Sequence, residues 1–247
     1  MRFVLMSVML MVSVIFVNAQ VANDEVDEFV TEHGHSVKIH HLMHASIRIE
    51  VGKSEILIDP VRKLGDRSVE YSTTPTSRTI FITHEHFDHL DKENVTALAN
   101  DNDNARVIAN ERCVELLGFG RAMANGDSIS EKELAVKAVP AYNTTDGHLQ
   151  FHPKGRDNGY ILTIDGLRIY VAGDTEDIPE LADVKNIDVA FLPCNQPYTM
   201  TVEQFVRAAK IIRPKVLFPY HYSNTDVSSI PDMLRDSGID VPIRPYD

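Results

Sequence analysis

The 247-residue chain contains no tryptophan and only two cysteines, Cys113 and Cys194. Two cysteines do not make a disulfide framework in a chain of this size, although they could pair in an oxidising compartment. Low-complexity tracts and internal repeats are also absent. Hydrophobic residues make up 43% of the chain and charged residues 24%. This composition is ordinary for a soluble globular protein with one large domain and a substantial core.

Basic residues are scarce, because 24 Lys and Arg residues stand against 36 Asp and Glu residues, for a formal net charge of −12. Binding to a nucleic-acid backbone depends on clustered Lys and Arg side chains. The sequence therefore argues against nucleic acid as the main partner, although an acidic surface can still surround a basic site.

A nearly unbroken apolar run covers residues 3–17 and follows Arg2. It is shorter than the ~20 residues that a membrane-spanning helix needs, and small residues precede a cleavage point after Ala19. We expect a signal peptide over residues 1–19, a poorly ordered polar lead-in over residues 20–35 and one domain over residues 36–247. Cleavage would give a periplasmic or secreted protein with no stable membrane span, whereas an uncleaved segment would anchor it.

The sequence THEHFDH over residues 83–89 places three imidazoles and a carboxylate close together, after a β-branched and aromatic run that predicts a buried strand. Alternation along the extended backbone puts His84, His86 and Asp88 on one side, and a turn would bring His89 to the same pocket. Imidazole and carboxylate are the ligands that zinc-like ions prefer. The alternative is a solvated, histidine-rich loop, but the ligand density favours a metal site.

The spacing His84-x-His86-x-Asp88-His89 matches the HxHxDH motif of the metallo-β-lactamase-fold hydrolases. Shorter segments resemble later motifs of that family in the right order: Ile58-Asp59-Pro60, Ala172-Gly173-Asp174-Thr175 and Pro219-Tyr220-His221-Tyr222. His44-Ala45-Ser46 is similar to the branch that includes ascorbate 6-phosphate lactonase and N-acyl phosphatidylethanolamine phospholipase D. The resemblance covers about residues 37–222.

Alternating β and α patterns along the chain predict, by themselves, one mixed α/β domain. Asp165-Gly166 between two apolar runs predicts a tight hairpin turn, and Gly118 predicts the end of a helix. The resemblance implies a more specific fold class, an α/β protein built as an αββα four-layer sandwich.

The resemblance also implies a centre for two divalent metal ions, with zinc preferred and manganese or iron as alternatives. His84 and His86 would bind one ion, the second would be bound by Asp88, His89 and His221, and Asp174 would bridge the two. The family usually supplies one more histidine where this chain has Asn143, which is a poor zinc ligand. His152 is our preferred replacement because Phe151 and Pro153 flank it, but His148 or a centre with one ligand fewer remains open.

The expected function is that of a metal-dependent hydrolase, in which a hydroxide activated by the two metals attacks an ester, lactone or phosphodiester bond. Asp88 would orient the nucleophile or carry a proton, His44 would line the pocket, and Asp59 would hold a ligating imidazole. We expect a small-molecule or lipid-derived substrate. The alternatives are a non-catalytic metal-binding module and a di-iron redox protein on the same fold, although such redox proteins usually have an acidic ligand where His86 stands.

Overall fold

The computed structural model describes residues 25–131 and 134–246. The predicted signal peptide over residues 1–19 lies outside the described residues. Within the described part of the chain, no helix is both long enough and apolar enough to cross a membrane.

The first half of the described chain builds a seven-stranded sheet and a small hairpin. Its strands are β1 (Glu25–Val30), β2 (Ser36–Met43), β3 (Ser46–Val51), β4 (Ser54–Ile58), β5 (Lys63–Leu64), β6 (Arg67–Ser68), β7 (Ser77–Ile82), β8 (Ala105–Ala109) and β9 (Arg121–Ala122). The sheet has the order β1-β2-β3-β4-β7-β8-β9, and β5 pairs with β6. Pairing is antiparallel from β1 to β4 and parallel from β4 to β9.

The second half builds a six-stranded sheet with the same change from antiparallel to parallel pairing. Its strands, in spatial order, are β10 (Ser128–Glu131), β11 (Leu134–Ala141), β12 (Asp157–Ile164), β13 (Leu167–Val171), β14 (Val189–Pro193) and β15 (Val216–Tyr220). The pairs from β10 to β13 are antiparallel, and β13, β14 and β15 are parallel. The predicted turn at Asp165-Gly166 joins β12 to β13.

In the part of the chain that the structure describes, four α-helices cover the outer faces of the two sheets: α1 (Lys92–Asn100), α2 (Glu111–Leu117), α3 (Val202–Ile212) and α4 (Ile230–Met233). Asp91, Asn110 and Thr201 accept hydrogen bonds from the first turns of α1, α2 and α3, which satisfies amide groups that have no partner within the helix. Gly118 ends α2 in the left-handed conformation, as predicted.

Three apolar clusters define the layers. The central cluster joins the two sheets and includes Ile47 and Phe81 from the first and Leu162 and Phe218 from the second. A second cluster packs α3 and α4 against the outer face of the second sheet, and a third packs α1 and α2 against the first. This arrangement confirms the predicted αββα four-layer sandwich.

The predicted lead-in over residues 20–35 is wrong for Glu25–Val30, which forms the edge strand β1 against β2. Its Asp27 is bound by Arg244, with nitrogen–oxygen distances of 2.9 and 2.7 Å, and by His41 at 2.7 Å. These partners lie far away in the sequence or on the next strand, so the local polar composition does not reveal the strand. Residues 20–24 lie outside the described part.

The two cysteines are buried and free. Cys113 belongs to the apolar cluster under the first sheet and Cys194 to the cluster under the second. Each thiol therefore packs as a small apolar side chain in a different layer.

Candidate metal centre

The candidate ligands gather at one end of the sandwich, where parallel strands of both sheets terminate. Asp59 directly follows β4, and the histidine motif begins two residues after β7. In the second sheet, Asp174 follows β13 and His221 directly follows β15. Because the carboxyl ends of parallel strands share one edge of a sheet, two sheets stacked face to face bring these side chains together.

The first group of candidate ligands consists of His84, His86 and His152, whose nearest ring nitrogens all lie within 4.8 Å of one another. The Nδ1 atom of His86 is 3.0 Å from Nε2 of His84 and 3.2 Å from Nε2 of His152. His84 and His152 are fully buried. Three imidazole nitrogens thus converge from two distant segments of the chain.

The second group consists of His44, Asp88, His89 and His221, again with one atom of each within 4.8 Å of the others. His221 Nε2 lies 3.7 Å from Asp88 Oδ2. His44 therefore lies beside the three residues predicted to bind the second ion.

Asp174 lies between the two groups. Its Oδ2 atom is 3.3 Å from Nε2 of His152 and 3.3 Å from Nε2 of His221, and its Oδ1 atom is 3.3 Å from Nε2 of His89. One carboxylate thus reaches nitrogens of both groups, which is the position that a bridging ligand needs.

Several buried atoms of the centre fit metal ligation better than hydrogen bonding. Nε2 of His89, Nε2 of His221 and Oδ1 of Asp174 have no hydrogen-bond partner among the described residues. Buried polar atoms without partners are uncommon in folded proteins. Imidazole nitrogens and a carboxylate form a donor set suited to zinc and related divalent ions, so the residues present fit such ions.

Asp59 fixes the orientation of the histidine motif from the side that faces away from the metal centre. Its Oδ1 accepts from the amide of Thr83 at 2.8 Å, and its Oδ2 accepts from Thr83 Oγ1 and from Nδ1 of His89, both at 2.7 Å. Because Nδ1 of His89 donates to this carboxylate, Nε2 is the nitrogen that faces the centre. The structure thus places Asp59 where the sequence predicted it, behind a candidate ligand.

The structure distinguishes the two histidines that the sequence left open. His152 joins the first group, and its Nδ1 donates to Oδ1 of Asn143 at 3.0 Å and to the carbonyl of Tyr198 at 3.1 Å. Asn143, which stands where a family histidine was expected, therefore orients His152. His148 lies outside the groups, with its Nδ1 atom 3.7 Å from a carboxylate oxygen of Glu176.

Arg156 connects the two segments that supply the first group, a role that the sequence did not reveal. It contacts Glu85 at 3.2 Å within the histidine motif, and it donates to Asp157 at 2.7 and 2.8 Å. It also donates to the carbonyl of Phe151, next to His152, at 2.9 Å. The only local signal is an Arg-Asp pair at the start of an apolar strand.

His44 is held by backbone hydrogen bonds from the far end of the chain. Its amide donates to the carbonyl of Tyr246 at 2.8 Å, and its carbonyl accepts from the amide of His221 at 3.0 Å. The backbone φ angle of His44 is 55°, in the left-handed region that few residues other than glycine occupy. Its Nε2 lies 3.1 Å from Asp88 Oδ2, so His44 faces the centre as predicted.

Burial and charge set the ionisation of the centre. Burial lowers the pKa of His84 well below its usual range and that of His152 to about 4. Burial would raise the pKa of Asp174, but His221 and His89 outweigh it and hold the pKa of this carboxyl well below its usual range. Burial would lower the pKa of His221, but Asp174 and Asp88 outweigh it and raise the pKa to about 9. Metal ions bind neutral imidazoles and ionised carboxylates, so an ion at the second group would have to displace a proton from His221.

The centre forms the floor of an open cleft of about 440 Å³, a volume typical of small-molecule sites. The side chains around it come from both halves of the chain: His44, Leu64, His86, Phe87, Asp88, Phe151, His152, Asp174, Asn195, Tyr198, His221 and Ser223. Tyr198 and Asn195 come from the segment that follows β14.

This fold and this end-of-sheet cluster of histidines and aspartates define a metal-dependent hydrolase of the metallo-β-lactamase superfamily. Residues 38–221 match the family model described as a beta-lactamase superfamily domain, and the chain belongs to that superfamily. The predicted family is thus confirmed.

Within the superfamily, the chain belongs to the UPF0173 metal-dependent hydrolases. It is 34% identical over 202 residues to the member from Alkaliphilus metalliredigens, with 77% of this chain and 87% of the relative covered. It is 32% identical to the member from Pyrococcus furiosus, with 76% and 85% covered. The predicted activity class, a metal-dependent hydrolase, is confirmed.

Solved structures show the same fold. The crystal structure of a putative metal-dependent hydrolase from Parabacteroides distasonis is 47% identical, with a TM-score of 0.85 and coverage of 91% of this chain and 100% of that chain. Igni18, a metallo hydrolase from Ignicoccus hospitalis, is 25% identical with a TM-score of 0.70, covering 84% and 94%. CmlA, a diiron β-hydroxylase from Streptomyces venezuelae, shares the fold at 14% identity, with a TM-score of 0.66 and coverage of 85% and 52%.

Proposed function

We propose that this protein hydrolyses an ester, lactone or phosphodiester bond with two divalent metal ions, zinc by preference, with manganese or iron as alternatives. The observation that carries this proposal is the position of Asp174, whose carboxylate oxygens lie 3.3 Å from nitrogens of His152, His221 and His89. A carboxylate shared by two ligand groups is the usual link between paired ions.

The first ion would be held by His84, His86 and His152, the second by Asp88, His89 and His221, and Asp174 would touch both. When bound, such ions polarise a carbonyl or phosphoryl oxygen and lower the pKa of coordinated water towards neutrality. The chain's own contribution is to fix the ligands from behind through Asp59, Asn143 and Arg156.

Asp88 and His44 are the residues that we assign to proton handling. Their side chains lie 3.1 Å apart and face the cleft from the second ligand group. Asp88 would orient the attacking water, and His44 would exchange a proton with the leaving group. Replacing His44 by asparagine should therefore slow substrates with poor leaving groups more than activated aryl esters.

We also propose a periplasmic or secreted location and a small-molecule or lipid-derived substrate. The apolar run over residues 3–17 supports the location, and the net charge of −12 disfavours a nucleic-acid partner. The rival function of a di-iron redox protein is less well supported, because His86 contributes an imidazole where such proteins usually have an acidic ligand. A non-catalytic metal-binding module would share the centre, so turnover is the measurement that separates it.

Metal analysis of three proteins tests the dinuclear centre. Wild type and His148→Ala should each bind two equivalents of zinc or manganese after reconstitution, because His148 lies outside both groups. His152→Ala should lose one equivalent, because it removes a third of the first ligand group. Inductively coupled plasma mass spectrometry measures the stoichiometry. A wild type that binds no metal, or equal loss in both variants, would reject the assignment.

Asp59→Asn should weaken metal binding without unfolding the chain. Asparagine keeps the size of the side chain and one acceptor for the amide of Thr83, but it removes the charged acceptor that orients His89. Loss of such an outer carboxylate typically lowers metal affinity by roughly 10–100-fold. Competition with a chromogenic chelator measures this affinity, and exposed Asp66→Asn serves as the control. Unchanged affinity in Asp59→Asn would mean that His89 needs no orientation from behind.

A further inference from the structure

The walls of the cleft are formed by apolar side chains, whereas its floor is formed by the candidate metal ligands. Above the histidines, the cleft is lined by the side chains of Leu64, Phe87, Phe151 and Tyr198. Phe151 and Tyr198 meet edge to face, with ring centroids 4.9 Å apart. Phe87 is 78% exposed although it stands between two residues of the histidine motif. An aromatic ring held in solvent beside a reactive centre is available to cover an apolar part of a bound substrate.

The charges around the cleft are negative. Asp88 and Asp174 are the carboxylates in its lining, and among the residues that the structure describes no Lys or Arg side chain lines it. Arg156, the guanidinium behind the first ligand group, is engaged by Glu85 and Asp157. Positive charge in the loaded centre would therefore come from ions at the floor, where the reacting bond lies, and the walls would meet the rest of the substrate.

A polar contact lies beside the apolar wall. Nδ2 of Asn195 donates to Oγ of Ser223 at 3.2 Å, and both residues line the cleft. These neutral groups can hydrogen-bond an uncharged oxygen of a substrate, and neither supplies a full positive charge to an anionic group.

We propose that the substrate is a neutral carboxylic ester or lactone whose acyl chain is apolar and lies against Leu64, Phe87, Phe151 and Tyr198. This inference rests on the proposed function and narrows its substrate class. In the reaction, the oxygen of water bonds to the acyl carbon and the bond from that carbon to the alkoxy oxygen breaks. In an ester the alcohol leaves with one proton, and in a lactone the freed oxygen takes that proton and stays in the product as a hydroxyl group. The carboxylic acid formed in either case releases the other proton to solvent.

Three p-nitrophenyl substrates test the inference on the metal-loaded full chain: the hexanoate, the acetate and the monoester of adipic acid. The hexanoate should exceed the acetate in kcat/KM by at least about tenfold, because each fully buried methylene contributes up to roughly fourfold. It should exceed the adipate monoester by roughly 30-fold, because that ester places an unpaired carboxylate against the apolar wall. Hydrolysis should stop when a chelator removes the metal.

Two matched substitutions locate the acyl site. Phe87→Ala should reduce the ratio of the hexanoate to the acetate kcat/KM at least threefold, because it removes part of the wall that covers the longer chain. Leu116→Ala removes another exposed apolar side chain, 39% exposed on α2 and outside the cleft, and should leave that ratio unchanged. Metal content measured in both variants shows that the ligand groups are intact.

The possible outcomes distinguish a failure of the inferred substrate class from a failure of the proposed hydrolase function. Chelator-sensitive hydrolysis that favours the adipate monoester, or that favours bis(p-nitrophenyl) phosphate over the hexanoate, would overturn the neutral substrate and leave the metal-dependent hydrolase standing. An unchanged ratio in Phe87→Ala would overturn the assigned wall. Failure to hydrolyse any of these four compounds with two metals bound would reject the proposed function itself.

Discussion

Asp174→Ala is expected to lower the bound metal to one equivalent or fewer and to reduce hydrolysis by at least roughly 10²–10³-fold, on the scale of losing a transition-state contact. The variant removes the carboxylate that lies 3.3 Å from nitrogens of both ligand groups. It leaves mainly imidazoles facing two divalent charges, so the repulsion between the ions is no longer offset. Metal analysis and turnover of p-nitrophenyl hexanoate measure the two effects.

The control for Asp174→Ala is Asp183→Ala, which removes an exposed carboxylate from the short 3₁₀ helix Pro179–Asp183. This control should keep both ions and full turnover, since its side chain faces solvent. If Asp174→Ala retained two ions and wild-type turnover, Asp174 would not bridge the groups, and the dinuclear centre proposed above would have to be abandoned.

Arg78→Met is expected to lower the free energy of unfolding by about 3–5 kcal/mol, the cost of leaving a buried charge without its partner. The guanidinium is fully buried, its Nε is 2.6 Å from Oε2 of Glu55, and it donates to the carbonyls of Leu98 and Thr73 at 3.0 Å. Methionine fills much of the volume of the arginine side chain but has no hydrogen-bond donor. The buried carboxylate of Glu55 therefore loses its positively charged partner. Urea unfolding of the metal-free protein measures the change.

Two further variants make the Arg78 experiment decisive. Arg62→Met removes an exposed partner that lies 3.9 Å from Glu70, and such surface pairs contribute only about 0–1 kcal/mol. The double variant Arg78→Met with Glu55→Gln should recover part of the loss, because it removes the uncompensated charge. Equal stability of Arg78→Met and Arg62→Met would show that the buried pair does not stabilise the first sheet.

The histidine motif could be predicted because its chemistry is local. His84, His86, Asp88 and His89 follow one strand within a few residues, so their density and ligand preference suffice to mark the site. The predicted strand alternation does not extend through the motif, because residues 85–89 bend and turn, and the amides of His89 and Leu90 donate to the carbonyl of His86 at 3.0 and 2.8 Å. Asp174 and His221 each follow a strand of the other sheet, and only the resemblance singled them out from ordinary turn residues. The fold class followed in the same way, since periodicity alone gave a mixed α/β domain.

The sequence favoured His152 as the remaining candidate ligand but left His148 open, because the outcome depends on how a long loop returns to the centre. The amide of Asn143 donates to the carbonyl of His152 at 2.9 Å, which closes the loop and turns the ring of His152 inward. Arg156 then ties the same loop to the histidine motif. The residues that make these contacts are not spaced with the periodicity of a helix or a strand. The sequence therefore distinguished His148 from His152 only by their immediate neighbours.

The backbone hydrogen bonds that hold His44 have a consequence for biosynthesis. The amide of His44 is satisfied by Tyr246, and its carbonyl by His221, so an early segment of the chain is positioned by some of the last described residues. A nascent chain on the ribosome can present the histidine motif long before these partners exist. We therefore expect metal ions to bind stably only after the second sheet has been synthesised and has packed against the first. The ions would then bind to the folded protein and not to the nascent chain.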